Sequence, residues 1–149
     1  MKFRGIAVFL AGIVLASACS LGDSQDAGSI NLYLAVDKST LTNGDSMKIT
    51  VTARNVGFDP VSLTGPSDCL LYIEILNQQN TVIWHSNGNC SGSNVTEQLD
   101  AGQDAVKVIT WYGVNLAGSR PLGGYYTVRG IARVTGGAYI GPPLTIALE

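Results

Sequence analysis

Charge is scarce in this sequence. Asp, Glu, Lys and Arg make up only 13% of its 149 residues, and there is one histidine, His85. No basic run occurs, which disfavours nucleic-acid binding. One histidine and few cysteines leave no spaced ligand set for a metal. The sequence has no GxSxG motif and no EF-hand-like spacing. Heptads, helical periodicity and internal repeats are also missing. No metal site or other cofactor is expected. A hydrolase would need a catalytic set, and none is visible; "SGS" at 91–93 reads as an ordinary loop.

Long apolar runs are missing too. The longest uncharged apolar stretch is "GIAVFLAGIVL", Gly5 to Leu15. A membrane-spanning helix needs about 20 such residues. Here Lys2 and Arg4 precede the run, and the small residues Ala16, Ser17 and Ala18 follow it. This is the layout of a secretory signal peptide over residues 1–18. Ala-Ser-Ala before Cys19 suits ordinary signal peptidase. The same residues resemble a bacterial lipobox, in which the cysteine is lipidated and becomes the new N-terminus. Leucine is favoured three residues before that cysteine; Ala16 stands there, with Leu15 one place early. Both readings cut the same bond.

Two of the nine Lys and Arg leave with the signal segment and all eleven acids stay, so seven bases face eleven acids, a net charge of −4. The segment after Cys19, "SLGDSQDAGS", is small and polar. Residues 19–29 read as a lipidated cysteine plus a flexible tether. Residues 30–149 are long enough for one domain with a real core. Low charge and many Gly, Thr, Val and Ile residues point to an all-β domain.

Alternation marks the strands. In "INLYLAVD", Ile30, Leu32, Leu34 and Val36 share a face. In "SMKITVTARN", Met47, Ile49, Val51 and Ala53 oppose Lys48, Thr50, Thr52 and Arg54, so one face is wet. A short edge strand is expected at Val61–Leu63, after the break at Pro60. Residues 69–90 read as a hairpin turning at Asn77–Asn80. Folding about that turn sets Ile75 opposite Val82, Ile73 opposite Trp84, Glu74 opposite Ile83 and Tyr72 opposite His85. Cys69 then faces Gly88, two residues from Cys90, and a bulge or turn in "NGNC" absorbs the offset. A Cys69–Cys90 disulfide is expected, favoured by export to an oxidising compartment. Further strands are expected at 105–111, 125–134 and 143–149. Seven to eight short strands with Gly-rich turns favour an antiparallel two-sheet β-sandwich, with a small barrel as the alternative.

Two stretches, "MKITVTARNVGFDPVSLTGPSDCLLYIEILNQQNTVIW" and "LDAGQDAVKVITWYGVNLAGSRPLGGYYTVRG", resemble the BsuPI-type proteinase inhibitor domain, a bacterial immunoglobulin-like β-sandwich. The resemblance runs over most of residues 45–133 through a T-V-T-x-N strand, D-P-V, V-I-W, a G-Q turn, a Trp-ended strand and G-x-Y-T-V. It implies the sandwich fold and, by the family's founding activity, protease inhibition. No reactive-loop residue carries over.

His85 is expected on a polar sheet face. Asp37, Asp45, Asp59, Asp68, Asp100 and Asp104 sit mostly at turns, where their carboxylates cap backbone N–H groups. Loops on a rigid sandwich commonly hold recognition residues. Candidate partner-binding positions are therefore Asp59 and Pro60 in one loop, and Trp111, Tyr112 and Arg120 at the edge of "VNLAGSRPLGG". The expectation is a non-catalytic envelope lipoprotein binding an unidentified envelope protein, a protease among the candidates. Ser20 is not the inner-membrane retention aspartate of the enteric type, which favours the outer membrane where the cell has one. If Cys69 and Cys90 satisfy each other, Cys19 is the odd thiol at the cleavage junction, and lipidation gives it a role. Replacing Cys19 with Ser is expected to move the protein from the membrane to the soluble fraction; unchanged fractionation would exclude the anchor.

Overall fold

A computed structural model describes residues 29–86, 88 and 90–149. The expected signal segment, Cys19 and the tether up to residue 28 lie outside them. The chain forms an all-β, immunoglobulin-like sandwich. Its strands are β1 (Ile30–Val36), β2 (Thr40–Leu41), β3 (Met47–Asn55), β4 (Val61–Pro66), β5 (Leu71–Leu76), β6 (Val82–His85), β7 (Asn94–Leu99), β8 (Asp104–Trp111), β9 (Gly124–Val134), β10 (Gly137–Ile140) and β11 (Leu144–Leu148). Among the described residues there are eleven strands, against the expected seven to eight.

The smaller sheet has the order β1-β3-β8, all antiparallel. Alternation sets its faces. Met47, Ile49, Val51 and Ala53 are fully buried, while Lys48 and Arg54 stay wet. Each buried side chain of the Ile, Val or Met type contributes roughly 1.5–3 kcal/mol relative to exposure.

The larger sheet is organised on β9. Along one edge of β9 run β11 and then β10; along the other run β5 and then β4. Outside these lie β2 against β11, β6 against β5 and β7 against β4. Two expectations are corrected here. The sheet is mixed, because β2 pairs with β11 in parallel. And Val61–Leu63 begins a longer strand, which lies between β9 and β7 rather than at an edge.

Inner faces of the two sheets meet closely at Gly130. A Cβ there would come 3.0 Å from Val51 Cγ2 and 3.2 Å from Leu34 Cδ2. The missing side chain lets β9 lie against β1 and β3 of the smaller sheet. Trp111 is 0% exposed. Its ring centroid is 6.3 Å from that of Trp84, an aromatic contact joining β8 to β6 across the sheets. Lys107 also reaches across and donates to the Asp68 carbonyl. Burial lowers the Lys107 pKa, and the nearby Asp68 charge partly offsets this.

The β5–β6 hairpin departs from the expected register. Glu74 faces His85, Ile75 faces Trp84 and Leu76 faces Val82. Two residues account for the change. The turn closes at Asn77 and Thr81, one residue later than expected, and Ile83 is extruded as a bulge. Two insertions restore the parity, so Trp84 still faces the core side and His85 the outer side. Ladder pairing ends at Glu74 and His85, and the backbone is left-handed at Gly88 and Cys90, with φ of 38° and 35°. The disulfide is present, with the two Cα atoms 5.6 Å apart. It closes a loop of 21 residues. Replacing both cysteines with Ser is expected to lower the unfolding free energy by about 3 kcal/mol in urea titration; a loss under about 1 kcal/mol would show that the reduced chain is already constrained here.

Candidate functional site

The sandwich has two ends. At the entry end β1 begins, β3 finishes at Asn55 and β8 starts at Asp104. Loop 56–60 lies here. At the far end β8 finishes at Trp111, opposite Met47, and the chain enters the segment 112–123. The two loops expected to share a partner surface are therefore at opposite ends and form no continuous face.

The far end carries two loops built alike. In residues 77–81, "NQQNT", Asn77 Oδ1 accepts from the N–H groups of Gln79 and Thr81. The Asn77 N–H donates to the Thr81 carbonyl, and the Asn80 N–H donates to the Asn77 carbonyl. In residues 115–119, "NLAGS", Asn115 Oδ1 accepts from Ala117 and Ser119. The Asn115 N–H donates to Ser119 O and the Gly118 N–H to Asn115 O. The fourth residue is left-handed in both, with φ of 59° at Asn80 and 77° at Gly118. Asn and Gly are the residues that tolerate this conformation. An asparagine followed at plus three by Asn or Gly and at plus four by Thr or Ser is the sequence signal for the pair.

The segment 112–123 is pinned on every side. Leu116 N–H donates to Ile83 O at the bulge of β6. Trp111 Nε1 donates to Val114 O at 2.8 Å. Arg120 donates to the carbonyls of Leu41, Thr42 and Glu149. Tyr126 Oη donates to Leu122 O at 2.6 Å. This last bond is the tyrosine corner of immunoglobulin-like sandwiches.

These placements revise the expected partner-binding residues. Trp111 lies in the core and presents nothing to a partner. The guanidinium of Arg120 is spent on backbone carbonyls, so its role is to hold the loop. Tyr112 is exposed, as are Asp59 and Pro60 at the other end. Pattern reading missed the side chains left outside the pinned loop. Leu116 is 58% exposed, Leu122 87% and Tyr125 66%. A recess of about 200 Å³ is lined by Leu122 and Tyr125 together with Asn77, Gln78, Gln79 and Tyr126.

The outer face of the larger sheet carries Tyr72, Glu74, Arg129 and Arg133. Arg129 holds Glu74 in a two-bond ion pair, at 2.7 Å from Nε and 2.6 Å from Nη2. The Arg133 guanidinium lies 5.6 Å from the Tyr72 ring centroid. Burial, with Glu74 nearby, raises the Tyr72 pKa, and Arg133 and Arg129 pull it back. His85 lies opposite Glu74, whose carboxylate is committed to Arg129. Among the described residues no group of three or more His, Cys, Asp or Glu is placed to hold a metal.

No protein-family model matches the chain, and no curated protein matches it in sequence. Solved structures do match in fold. The sporulation control protein Spo0M of Bacillus subtilis superposes with a TM-score of 0.57 at 12% identity, over 82% of this chain and 50% of that one. The alkylpurine DNA glycosylase AlkC of Pseudomonas fluorescens, bound to DNA containing an abasic site analogue, superposes with a TM-score of 0.51 at 12% identity, over 81% of this chain and 30% of that one. A CARDB domain from Pyrococcus furiosus, in complex with di-metal ions, gives a TM-score of 0.46 at 9% identity, over 80% of this chain and 87% of that one. This chain thus spans half or less of the first two. Identities this low define a class of fold, the immunoglobulin-like β-sandwich, and nothing narrower.

Replacing Tyr126 with Phe removes the bond to Leu122 O. The expected cost is about 1–1.5 kcal/mol, with faster amide hydrogen exchange confined to residues 112–124. Unchanged exchange there would show that the other anchors suffice.

Proposed function

We propose that this chain is a non-catalytic lipoprotein of the bacterial cell envelope, held to the membrane through Cys19, whose sandwich domain binds another envelope protein with its far end. The observation that carries this reading is the hydrogen-bond-locked segment 112–123 with Tyr112, Leu116 and Leu122 left exposed, Leu122 lining the recess together with Tyr125. Apolar and aromatic side chains on a flexible loop would lose much of their binding energy to ordering. Here the loop is ordered already, so their burial goes more fully into affinity. Tyrosine is also enriched at protein interfaces, and buried aromatic anchors dominate their energetics. Position supports the reading as well. β1 begins at the entry end, so a tether preceding it leaves the far end pointing away from the membrane.

A second reading is a protease inhibitor. The BsuPI-type resemblance favours it, and a fixed, protruding loop is a form a protease cleft accepts. It is one instance of the same interface, with a protease as the partner.

A photo-crosslinking residue placed at Tyr112 or Leu122 is expected to trap one discrete envelope protein in intact cells. Leu116→Asp together with Leu122→Asp should abolish that adduct while changing stability by less than about 0.5 kcal/mol, because both sites are exposed. No adduct, or equal trapping from Val95 on β7, would remove the proposal. A panel of proteases titrated with stoichiometric protein separates the second reading; absence of inhibition excludes it.

A further inference from the structure

The entry end carries an exposed group that the far-end interface does not use. Phe58 is 99% exposed and Val56 47%. Neither is loose. Asn55, with 0% exposure, accepts from the Gly57 N–H at 2.9 Å and donates to Asp59 O at 2.8 Å and Leu99 O at 2.9 Å. A buried asparagine with both ends of its amide satisfied fixes the loop, and the fixed loop holds Phe58 out in water. Folding alone supplies no reason to fix a phenylalanine there.

What lies nearest is the root of the chain. The Val56 N–H donates to Ser29 O at 2.7 Å. A Cβ on Gly57 would lie 2.8 Å from Ser29 Cβ, so the loop rests directly on that residue. From Cys19 to Ser29 is ten residues. A random coil of that length would have a root-mean-square span of roughly 16–19 Å and a limit of about 36 Å.

We infer that loop 56–60 is a lipid-contact site, in which Phe58, with Val56 beside it, enters the zwitterionic headgroup region of the membrane that holds Cys19. The inference rests on the lipoprotein reading above. A single phenylalanine leaving water favours the inserted state on the order of tenfold or more, too little to recruit a free domain. Joined by a short tether, the same contact becomes intramolecular, with an effective concentration in the millimolar range. Charge selects the surface. Asp59 and Asp100 are exposed at this end, and Arg54 is already paired with Asp104 at 3.6 Å. Strongly anionic lipid would repel this end, whereas phosphatidylethanolamine or phosphatidylcholine would not. Seating Phe58 also orients the domain, with the far-end loops directed outward.

The test uses the full-length chain, made in a bacterial host that processes lipoproteins and reconstituted into phosphatidylethanolamine–phosphatidylcholine vesicles. Phe58→Trp adds a reporter to the constant background of Trp84 and Trp111. With brominated phosphatidylcholine, the added emission is expected to shift to the blue and fall by about half or more, as for a ring at headgroup depth. Tyr112→Trp at the far end should be unaffected, and Phe58→Trp carrying Cys19→Ser should lose the quenching. Replacing half of the lipid with phosphatidylglycerol should weaken it severalfold at low salt. A chain that floats with the vesicles while position 58 stays unquenched overturns the inference and leaves the lipoprotein reading intact; Phe58 would then face a protein. Equal quenching at positions 58 and 112, or quenching undiminished by Cys19→Ser, also overturns it. A chain that does not float, with Cys19 unmodified by mass spectrometry, overturns the lipoprotein reading and this inference with it.

Discussion

The backbone of β9 is the constraint on which the larger sheet depends. Its N–H and C=O groups are obligatory hydrogen-bonding partners once buried. Eleven residues of β9 present two long edges, and no single neighbour is long enough to fill either. Each edge is therefore filled by two strands in succession, β11 with β10 on one side and β5 with β4 on the other. The breaks between successive strands sit where special chemistry interrupts the ladder. One break is Gly141-Pro142-Pro143. The other is the turn before β5, where the Cys69 N–H donates to Pro66 O and Asp68 accepts from Ser91 and Gly92. The disulfide and the Lys107 contact gather at this second break. The segment at this break is held by the disulfide and by side-chain hydrogen bonds as well as by backbone bonds from Arg133 to Leu70 and from Ser67 to Ser93.

The far end solves a different problem. Two loops must leave the sheets without wasting buried polar groups, and one asparagine-centred device closes both. The bulge at Ile83 has a part in each. It ends the regular hairpin after the first loop, and its free carbonyl receives the Leu116 N–H from the second. Tyr126 and Arg120 fasten the remaining carbonyls. Polar demand is met from within, and this is why apolar side chains are what remain on the outside.

Much of this architecture is legible in the sequence. Alternation found β1, β3, β9 and β11, because each has one more buried and one wetter face. It could not find β2, β7 or β10. All three lie at sheet margins, and "NVTEQL" in β7 buries only Leu99. A strand without a buried face has no period of two to detect. Hairpin pairing followed from parity, but an added turn residue and a bulge preserve parity while moving the register by two. The cysteine pairing holds although the register through which it was reached does not. Trp111 and Arg120 drew notice as large residues beside a loop. Composition does not distinguish a side chain that supports a loop from one that the loop displays. Leu116 and Leu122 had no signal of their own; their exposure follows from the bonds around them.

The placement of β1 has a mechanical side. It is an outer strand of the smaller sheet, antiparallel to β3 through seven paired residues from Ile30–Asn55 to Val36–Ile49. Tension drawn between Ser29 and anything gripping the far-end loops runs along the axis of β1. The ladder to β3 is then sheared, with its bonds bearing the load together. Pulled from the other end of the strand, the same bonds would open one after another like a zip. A domain hung from the start of β1 resists extraction in the direction in which a partner held at the opposite end would pull it.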